Sequence, residues 1–556
     1  MIKLPTYSTV HRCFRSVGLT WSLVIGFGIS ATFAVPAAAQ VRSYDGTGNN
    51  LSSPDFGAAG QAFTRLAPSD YSDGISAPGG VGRANAREIS NTVSQQPSET
   101  PSQRGLTNMV WQWGQFIDHD FALTEGTNES LFVPVATPDP LSPGISLNRS
   151  DFDSSTGVTT PRQQVNSATS FLDASMVYGT SLERANALRT MSGGRMNTSS
   201  GDLLPFNTGL LHNANDSGLF PDDQLFVAGD VRSNEQPGLT AMHTLFVREH
   251  NRLADEIAAA QPTWTDEEIY QHARRTVSGI VQSITYNEFL PSIIGDSTPT
   301  ITQYDPNVDA TLSNEFATAA FRFGHTMVTD HLIKPTDSGT EVIELADGFF
   351  NPTLFTQSTD VDQILDGLQQ QTQNETDLKV VEDLRSMLFG PPGSGGLDLV
   401  TLNIERGREH GLASYSEVAS LFGLDPVTSF ADVTSDADLA LQLASVYQDA
   451  GDIDLWVGLL AADREAGTEF GVLLNSIVAD QFSRLMEGDR FFFAWDEGLT
   501  EFERQQIMDT RLSDVIARNT SLTSVRANVF VQAIPEPSSL ALLGLSGLAL
   551  LGRRRK

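Results

Sequence analysis

The stretch MVWQWGQFIDHDFALT, residues 109–124, decides the reading of this chain. Trp113, Phe116 and Ile117 recur at helical spacing. Trp111, Gln115, Asp118, His119 and Ala122 follow one another at steps of three and four along the other side. Gln115, Asp118 and His119 therefore form one polar patch on an otherwise apolar helix. Burying such a patch costs free energy unless its members are paired. Taken alone, the patch fits a structural His–Asp pair. It fits equally an acid/base histidine held over a ligand pocket.

Four further segments carry chemistry-bearing residues. In TSFLDAS (169–175), Thr169, Phe171, Asp173 and Ser175 alternate, so in an extended segment they point to one side. Hydroxyl and carboxylate oxygens with one backbone carbonyl make a hard donor set suited to Ca²⁺, and Asp120 offers a second carboxylate. The same residues fit an ordinary hydrogen-bonded turn. In DVRSNEQPGL (230–239), Arg232 and Glu235 precede Pro237, which suits a first helical position. An arginine in a closed pocket stabilises developing negative charge, whereas on the surface it makes a plain ion pair. FATAAFRFGHTMV (316–328) places Phe316, Ala320, Gly324 and Val328 on one helical stripe, with Arg322 and His325 three apart beside it. LDLVTLNIERGREHG (397–411) sets Asn403 and Arg406 three apart.

Helical patterns dominate the surroundings. Thr265 and Glu268 stand in capping-box spacing, and Ile269, Ala273, Val277 and Val281 then recur every four residues through a segment ending at Ile294. Residues 239–258 are also helix-like. Leu141 to Thr160, rich in Ser, Pro and Thr, reads as a surface loop, as does the stretch around Pro391 to Gly396. Strand-like alternation is scarce and no repeat is found. The expectation is a mainly α chain, with a single large helical domain over residues 40–533.

The chain has 556 residues, of which 40% are hydrophobic, and a formal charge of −33. Such acidity lacks the basic footprint of a nucleic-acid binder. The apolar content excludes a disordered chain, and a mean hydropathy of −0.16 excludes a multi-span membrane protein. Cys13 is the single cysteine, so no intramolecular disulfide can form.

Both ends read as addresses. Residues 1–39 resemble a secretory signal: Lys3, Arg12 and Arg15 precede an apolar run from Val17 to about Val35, and Ala37–Ala39 offer a cleavage site. Cleavage there would leave a cysteine-free protein. At residues 534–556, Pro535-Glu536-Pro537 precedes an apolar run of about 14 residues and the basic tail RRRK. That run is short against the roughly 20 residues of a stable span. The tail resembles a PEP-CTERM sorting signal of exported Gram-negative proteins. This implies cleavage by an exosortase-type enzyme and a transient or C-terminal membrane association. A simple C-terminal transmembrane helix is the alternative.

The five segments, in this order, are similar to the animal-type haem peroxidases of the peroxidase–cyclooxygenase superfamily. VRSYDGTGNN at Val41, MHTLFVREHNRLA at Met242, YNEFLPSIIG at Tyr286 and FSRLMEGDRFFF at Phe482 agree with the resemblance. It implies a haem b cofactor and position-by-position roles. His119 matches the distal acid/base histidine, Arg232 the distal arginine, and Gln115 the glutamine lining the peroxide and halide site. His325 matches the iron ligand, and Asn403 its hydrogen-bond partner. Asp118 and Glu235 match the carboxylates that form esters with haem methyl groups. Arg322 and Arg406 are candidates for haem propionate partners. Asp120, Thr169, Phe171 (through its carbonyl), Asp173 and Ser175 match calcium ligands.

The implied activity is that of an exported peroxidase, at the cell surface or secreted. It would use hydrogen peroxide, through an oxo-ferryl state, to oxidise halide, thiocyanate or phenolic donors. A role in the response to oxidative stress would follow. Two departures stand out. Gln236 replaces a methionine that makes a third haem link in one branch of the family, and Gly48 replaces an early cysteine of vertebrate members. A fatty-acid dioxygenase of the same superfamily would need tyrosine where Arg322 stands. A matrix adhesion protein on a peroxidase scaffold is the non-enzymatic alternative.

Overall fold

A computed structural model describes residues 40–393 and 396–532. Both terminal signals read above, with their apolar runs, lie outside the described residues. The elements that position the site are, in chain order, helix α1 (Asn108–Phe121), strands β1 (Gly126–Pro134) and β2 (Gly144–Ser150), helices α2 (Pro237–Ala260), α3 (Asp266–Ile284) and α4 (Asn314–Thr318), strands β3 (His331–Thr336) and β4 (Gly339–Glu344), and helices α5 (Ser358–Gln370), α6 (Leu399–Glu409) and α7 (Val472–Glu487). The chain is mostly helical, as expected. The sheets among the described residues are two-stranded antiparallel pairs, including β1–β2 and β3–β4.

Local sequence explains the long helices. At α2, Pro237 occupies the first turn and the Gln236 side chain accepts from the Gly238 N–H. α2 is buried without interruption from Pro237 to Asn251. Such an element is held by packing on all sides rather than by one amphipathic stripe. At α3, the Thr265–Glu268 capping box forms, and the chain continues through a π-helical turn, Thr285–Phe289, into Leu290–Ile294. α1 is almost wholly buried. Trp113 and Phe116 meet Phe246 of α2 at ring-centroid distances of 5.8 and 5.0 Å. Phe121 packs on Phe316, Phe321 and Phe482, joining α1 to α4 and α7. Each fully buried phenylalanine contributes about 1.5–3 kcal/mol relative to exposure.

Two expectations are corrected. Leu141–Thr160 is not all loop: β2 lies within it and pairs with β1 from Pro134↔Gly144 to Ser130↔Asn148. The stripe from Phe316 to Val328 is not one α-helix. α4 ends at Ala319 (φ −128°, ψ −61°), and Ala320–Thr326 continues as a 3₁₀-helix. With three residues per turn, Arg322 and His325 are brought one above the other. Among the described residues, no helix is long and apolar enough to cross a membrane.

Candidate active site

α1 carries His119 into the interior, with Gln115 and Asp118 half-buried beside it. The segment before α2 supplies the opposing groups. Arg232 donates from Nε and Nη2 to Asp230 at 2.9 Å each, and from Nη2 to the Ala122 carbonyl at 2.8 Å. This ties the guanidinium to the C-terminal end of α1. His119 Nδ1 lies 3.5 Å from Asp230 Oδ1, and its Nε2 lies 3.8 Å from Glu235 Oε2. Burial and the adjacent Arg232 charge hold the His119 imidazole well below its ordinary pKa. It is therefore neutral and able to accept a proton. Asp230 stays ionised despite burial, because the Arg232 charge and the Arg232 hydrogen bonds hold its carboxyl below the usual range. Sequence reasoning did not single out Asp230, although it opens the segment that was quoted. Its bidentate clamp on Arg232 depends on a fold that brings Ala122 and His119 beside it.

The two candidate ester carboxylates behave differently from Asp230. Burial pushes Asp118 up to about 6 and Glu235 up to about 8. Among the described residues neither lies within 4 Å of a lysine or arginine nitrogen, and Glu235 approaches neutral His119 Nε2 at 3.8 Å. Gln115 donates from Nε2 to Glu235 Oε2 at 3.0 Å. Gln115 Oε1 and Gln112 Oε1 both accept from Gln236 Nε2, at 2.9 and 2.6 Å. Gln236 thus has its amide nitrogen committed to these two acceptors and its oxygen to the α2 cap.

On the opposite side, the 3₁₀ segment presents His325. Its Nδ1 accepts from Asn403 Nδ2 of α6 at 2.9 Å, while Asn403 Oδ1 accepts from Arg322 Nη1 at 3.2 Å. For Asn403 to accept from a protonated Nδ1 instead, its amide must turn over and break the Arg322 bond. Burial and the Arg322 charge depress His325 to about 3, so its ring is neutral and fit to ligate a metal. Arg322 is itself lowered to about 10 by burial and by Arg406. The Arg232 and Arg322 charges both act on Asp118 and partly offset the effect of its burial. Arg406 is turned toward the β-hairpin: its Nη1 donates to Asn148 O, Ser150 Oγ and Glu409 Oε2.

These residues fit haem. Among the described residues the His325 ring is bonded only at Nδ1; Nε2 would ligate iron once the ring proton moves to Nδ1 and the Asn403 amide turns to accept it at Oδ1. A Cβ added at the adjacent Gly324 would meet nothing within 4 Å, so open space adjoins the proximal ring.

The calcium candidates also come together. Asp120 accepts from the Ala174 and Ser175 N–H groups at 3.0 and 2.5 Å, and Ser175 Oγ donates to Asp120 O at 2.6 Å. Asp173 accepts from Thr169 Oγ1 at 3.1 Å and from Ser175 N at 3.0 Å. The loop is not evenly extended: Ala174 takes the left-handed conformation (φ 61°), and Ser175 starts a one-turn helix. Burial pushes both acids up, helped by the Asp173 charge at Asp120 and by the Asp489 charge at Asp173.

A neutral buried histidine beside a clamped arginine, together with a second histidine bonded at Nδ1 alone, fits a haem-dependent oxidoreductase of the peroxidase type. Residues 41–530 match the animal haem peroxidase family, and the chain belongs to that family. Residues 533–556 match the PEP-CTERM protein-sorting motif. Peroxinectin A of Dictyostelium discoideum is 36% identical, over 88% of this chain and 96% of that protein. Human eosinophil peroxidase is 34% identical over 91% of this chain and 79% of its own. The structure of peroxidase A from Dictyostelium discoideum superposes with a TM-score of 0.84 at 34% identity, covering 89% of this chain and all of that one. A fatty acid alpha-dioxygenase from Arabidopsis thaliana shares the fold, with a TM-score of 0.75 over 90% of this chain and 87% of that one, at 18% identity.

Proposed function

We propose that this protein is an exported peroxidase that reduces hydrogen peroxide at a haem held by His325 and passes the oxidising equivalents to halide, thiocyanate or phenolic donors. The reading is carried by one observation: neutral His119 sits beside the Asp230–Arg232 pair. Haem, when bound, supplies the redox chemistry of O–O cleavage. Neutral His119 would accept a proton from bound peroxide and return it to the departing oxygen. Arg232, fixed by Asp230 and Ala122 O, stabilises the negative charge that develops as the bond breaks. Gln115 offers a second N–H to an anion or to peroxide. Asn403 would orient the His325 ring, and Arg322 remains the candidate propionate partner, whereas Arg406 is taken up by the hairpin.

Asp118 and Glu235 support ester links to haem methyl groups. Both are free of strong ion pairs, and an ester removes the cost of a buried charge. Asp120, Thr169, the Phe171 carbonyl, Asp173 and Ser175 support calcium, whose charge would relieve the repulsion between the two buried acids. Residues 1–39 and 534–556 fit export with sorting by an exosortase-type enzyme. Arg322, where an oxygenase needs a tyrosine, weighs against fatty-acid oxygenation.

The test is His119→Ala in haem-loaded protein. Guaiacol and bromide oxidation should fall by about 10²–10⁴-fold while the Soret band persists. Full activity in this variant would sink the mechanism. Acid-acetone extraction that frees all haem after turnover would remove the ester links.

A further inference from the structure

Away from the haem site, the one-turn helix Ser175–Tyr178 ends in a tyrosine that is wholly buried. Its hydroxyl lies 2.9 Å from His250 Nδ1, and His250 Nε2 lies 2.8 Å from the Gly194 carbonyl. A carbonyl oxygen only accepts, so Nε2 carries the ring proton and Nδ1 presents a lone pair. The Tyr178 O–H therefore donates to a neutral imidazole whose tautomer is fixed. Tyr270 packs against both rings, at 5.9 Å from Tyr178 and 5.2 Å from His250. The guanidinium of Arg274 lies 5.8 Å from the Tyr178 ring and 4.3 Å from that of half-buried Tyr44. Arg189 covers Tyr270 at 3.8 Å.

We propose that Tyr178 and His250 form a redox-active pair that accepts an oxidising equivalent from the peroxide-oxidised haem. The proposal rests on the peroxidase reading above. One electron leaves Tyr178 for the haem, which is reduced by one electron. The phenol O–H bond breaks, and its proton forms an N–H bond at His250 Nδ1, leaving a neutral tyrosyl radical. One feature favours this coupled step: the acceptor nitrogen already sits at hydrogen-bond distance from the phenol oxygen, so no rearrangement is needed. The pair is linked to the distal helix through the chain: Tyr178 closes the one-turn helix that Ser175 opens, and Ser175 is bonded to Asp120, the neighbour of His119.

Tyr270 and Tyr44 continue the aromatic cluster toward the surface. Phenolic donors too large to enter the haem cleft could return the electron there, with the proton on His250 going back to the Tyr178 oxygen. The donor loses an electron to the tyrosyl radical and its phenolic proton to solvent, and becomes a phenoxyl radical.

The experiment uses the haem-loaded protein, freeze-quenched after one equivalent of hydrogen peroxide and read by electron paramagnetic resonance. A tyrosyl signal is expected that narrows on ring deuteration of tyrosine and shows coupling to ¹⁵N-labelled histidine. Tyr178→Phe should remove about nine-tenths of it. If that variant does not fold, the histidine coupling in the unaltered protein decides. Tyr44→Phe should lower oxidation of a polymer-bound phenol about threefold relative to guaiacol, and an unchanged ratio would overturn the surface route. If peroxide leaves the haem absorbance unchanged, the peroxidase reading itself fails. A normal haem response with no tyrosyl signal, or with a signal intact in Tyr178→Phe, overturns the Tyr178–His250 assignment alone.

Discussion

Arg232 is held by a buried carboxylate rather than by solvent, and that makes Asp230 indispensable to it. Its guanidinium has two bonds to Asp230 and one to Ala122 O. Asp230→Asn leaves the arginine charge buried with a neutral partner, and breaking such pairs costs about 3–5 kcal/mol. A lowered melting temperature is expected, together with a peroxide reaction slowed ~10²-fold as the stabilising charge loses its position. Stopped-flow mixing at fixed haem occupancy measures the second effect apart from the first. The ester carboxylates give a pH signature of opposite sign to Asp230. Folding raises Glu235 from 4.5 to about 8 and Asp118 from 3.8 to about 6. A raised carboxyl disfavours the folded state when charged. Haem-free protein should therefore gain stability as pH falls from about 8 toward 4.5 for Glu235, and from about 6 toward 3.8 for Asp118. An esterified carboxyl does not titrate, so protein that has turned over with haem should lose this dependence. Urea unfolding across that range compares the two forms, and identical pH profiles would argue against the links.

At the level of elements, the Thr169–Ser175 loop joins α1 to the rest of the distal side. Asp120 takes backbone N–H bonds from Ala174 and Ser175, while the Asp173 carbonyl accepts from Ser278 Oγ of α3 at 2.7 Å. A bound calcium would clamp α1 and α3 through this loop. Chelation should lower the melting temperature by several degrees and blunt the peroxide reaction, because His119 adjoins Asp120. Asp173→Ala should lower stability and abolish the response to chelator. A melting curve indifferent to both calcium and chelator would remove the ion from this loop. The elements also show what sequence alone could reveal. α2 and α3 were legible from Pro237 and from the Thr265–Glu268 box, because caps act through immediate neighbours. The polar patch of α1 was legible from its 3.6-residue period. The 3₁₀ segment bearing His325 was not, since Phe316–Val328 fits a spacing of four as well as three and the break at Ala319 is imposed by packing. β2 escaped because its Ser- and Asn-bearing residues have the composition of a loop and are ordered by pairing with β1. The Tyr178–His250 pair escaped because its members lie 72 residues apart, and Asp230 because an Asp two residues before an Arg signals nothing until the fold brings His119 beside it.

For the molecule as a whole, charge and cross-linking are set by what is absent. The only cysteine, Cys13, lies in the signal-like segment, so reductants should leave the melting temperature of the exported body unchanged. Long-range ion pairs take over the tying: Arg42 with Asp489, Arg87 with Asp398 and Arg408 with Asp454 are all buried and join distant parts of the chain. The net charge of −33 has a kinetic consequence. Removing residues 1–39 and the terminal RRRK deletes basic residues only and deepens it. Such a field repels anionic donors over distances comparable to the Debye length, about 10 Å at 0.1 M salt. Arg232 and Arg322 act only at closer range, inside the site. The second-order rate constant for iodide or thiocyanate should therefore rise with ionic strength between about 10 mM and 0.2 M, where screening changes most. Neutral guaiacol should show a flat response over the same range. Steady-state kcat/KM measured with both donors at constant peroxide separates the cases. A rate for the anions that falls with salt would mean that the arginine-rich site, rather than the acidic surface, governs their approach.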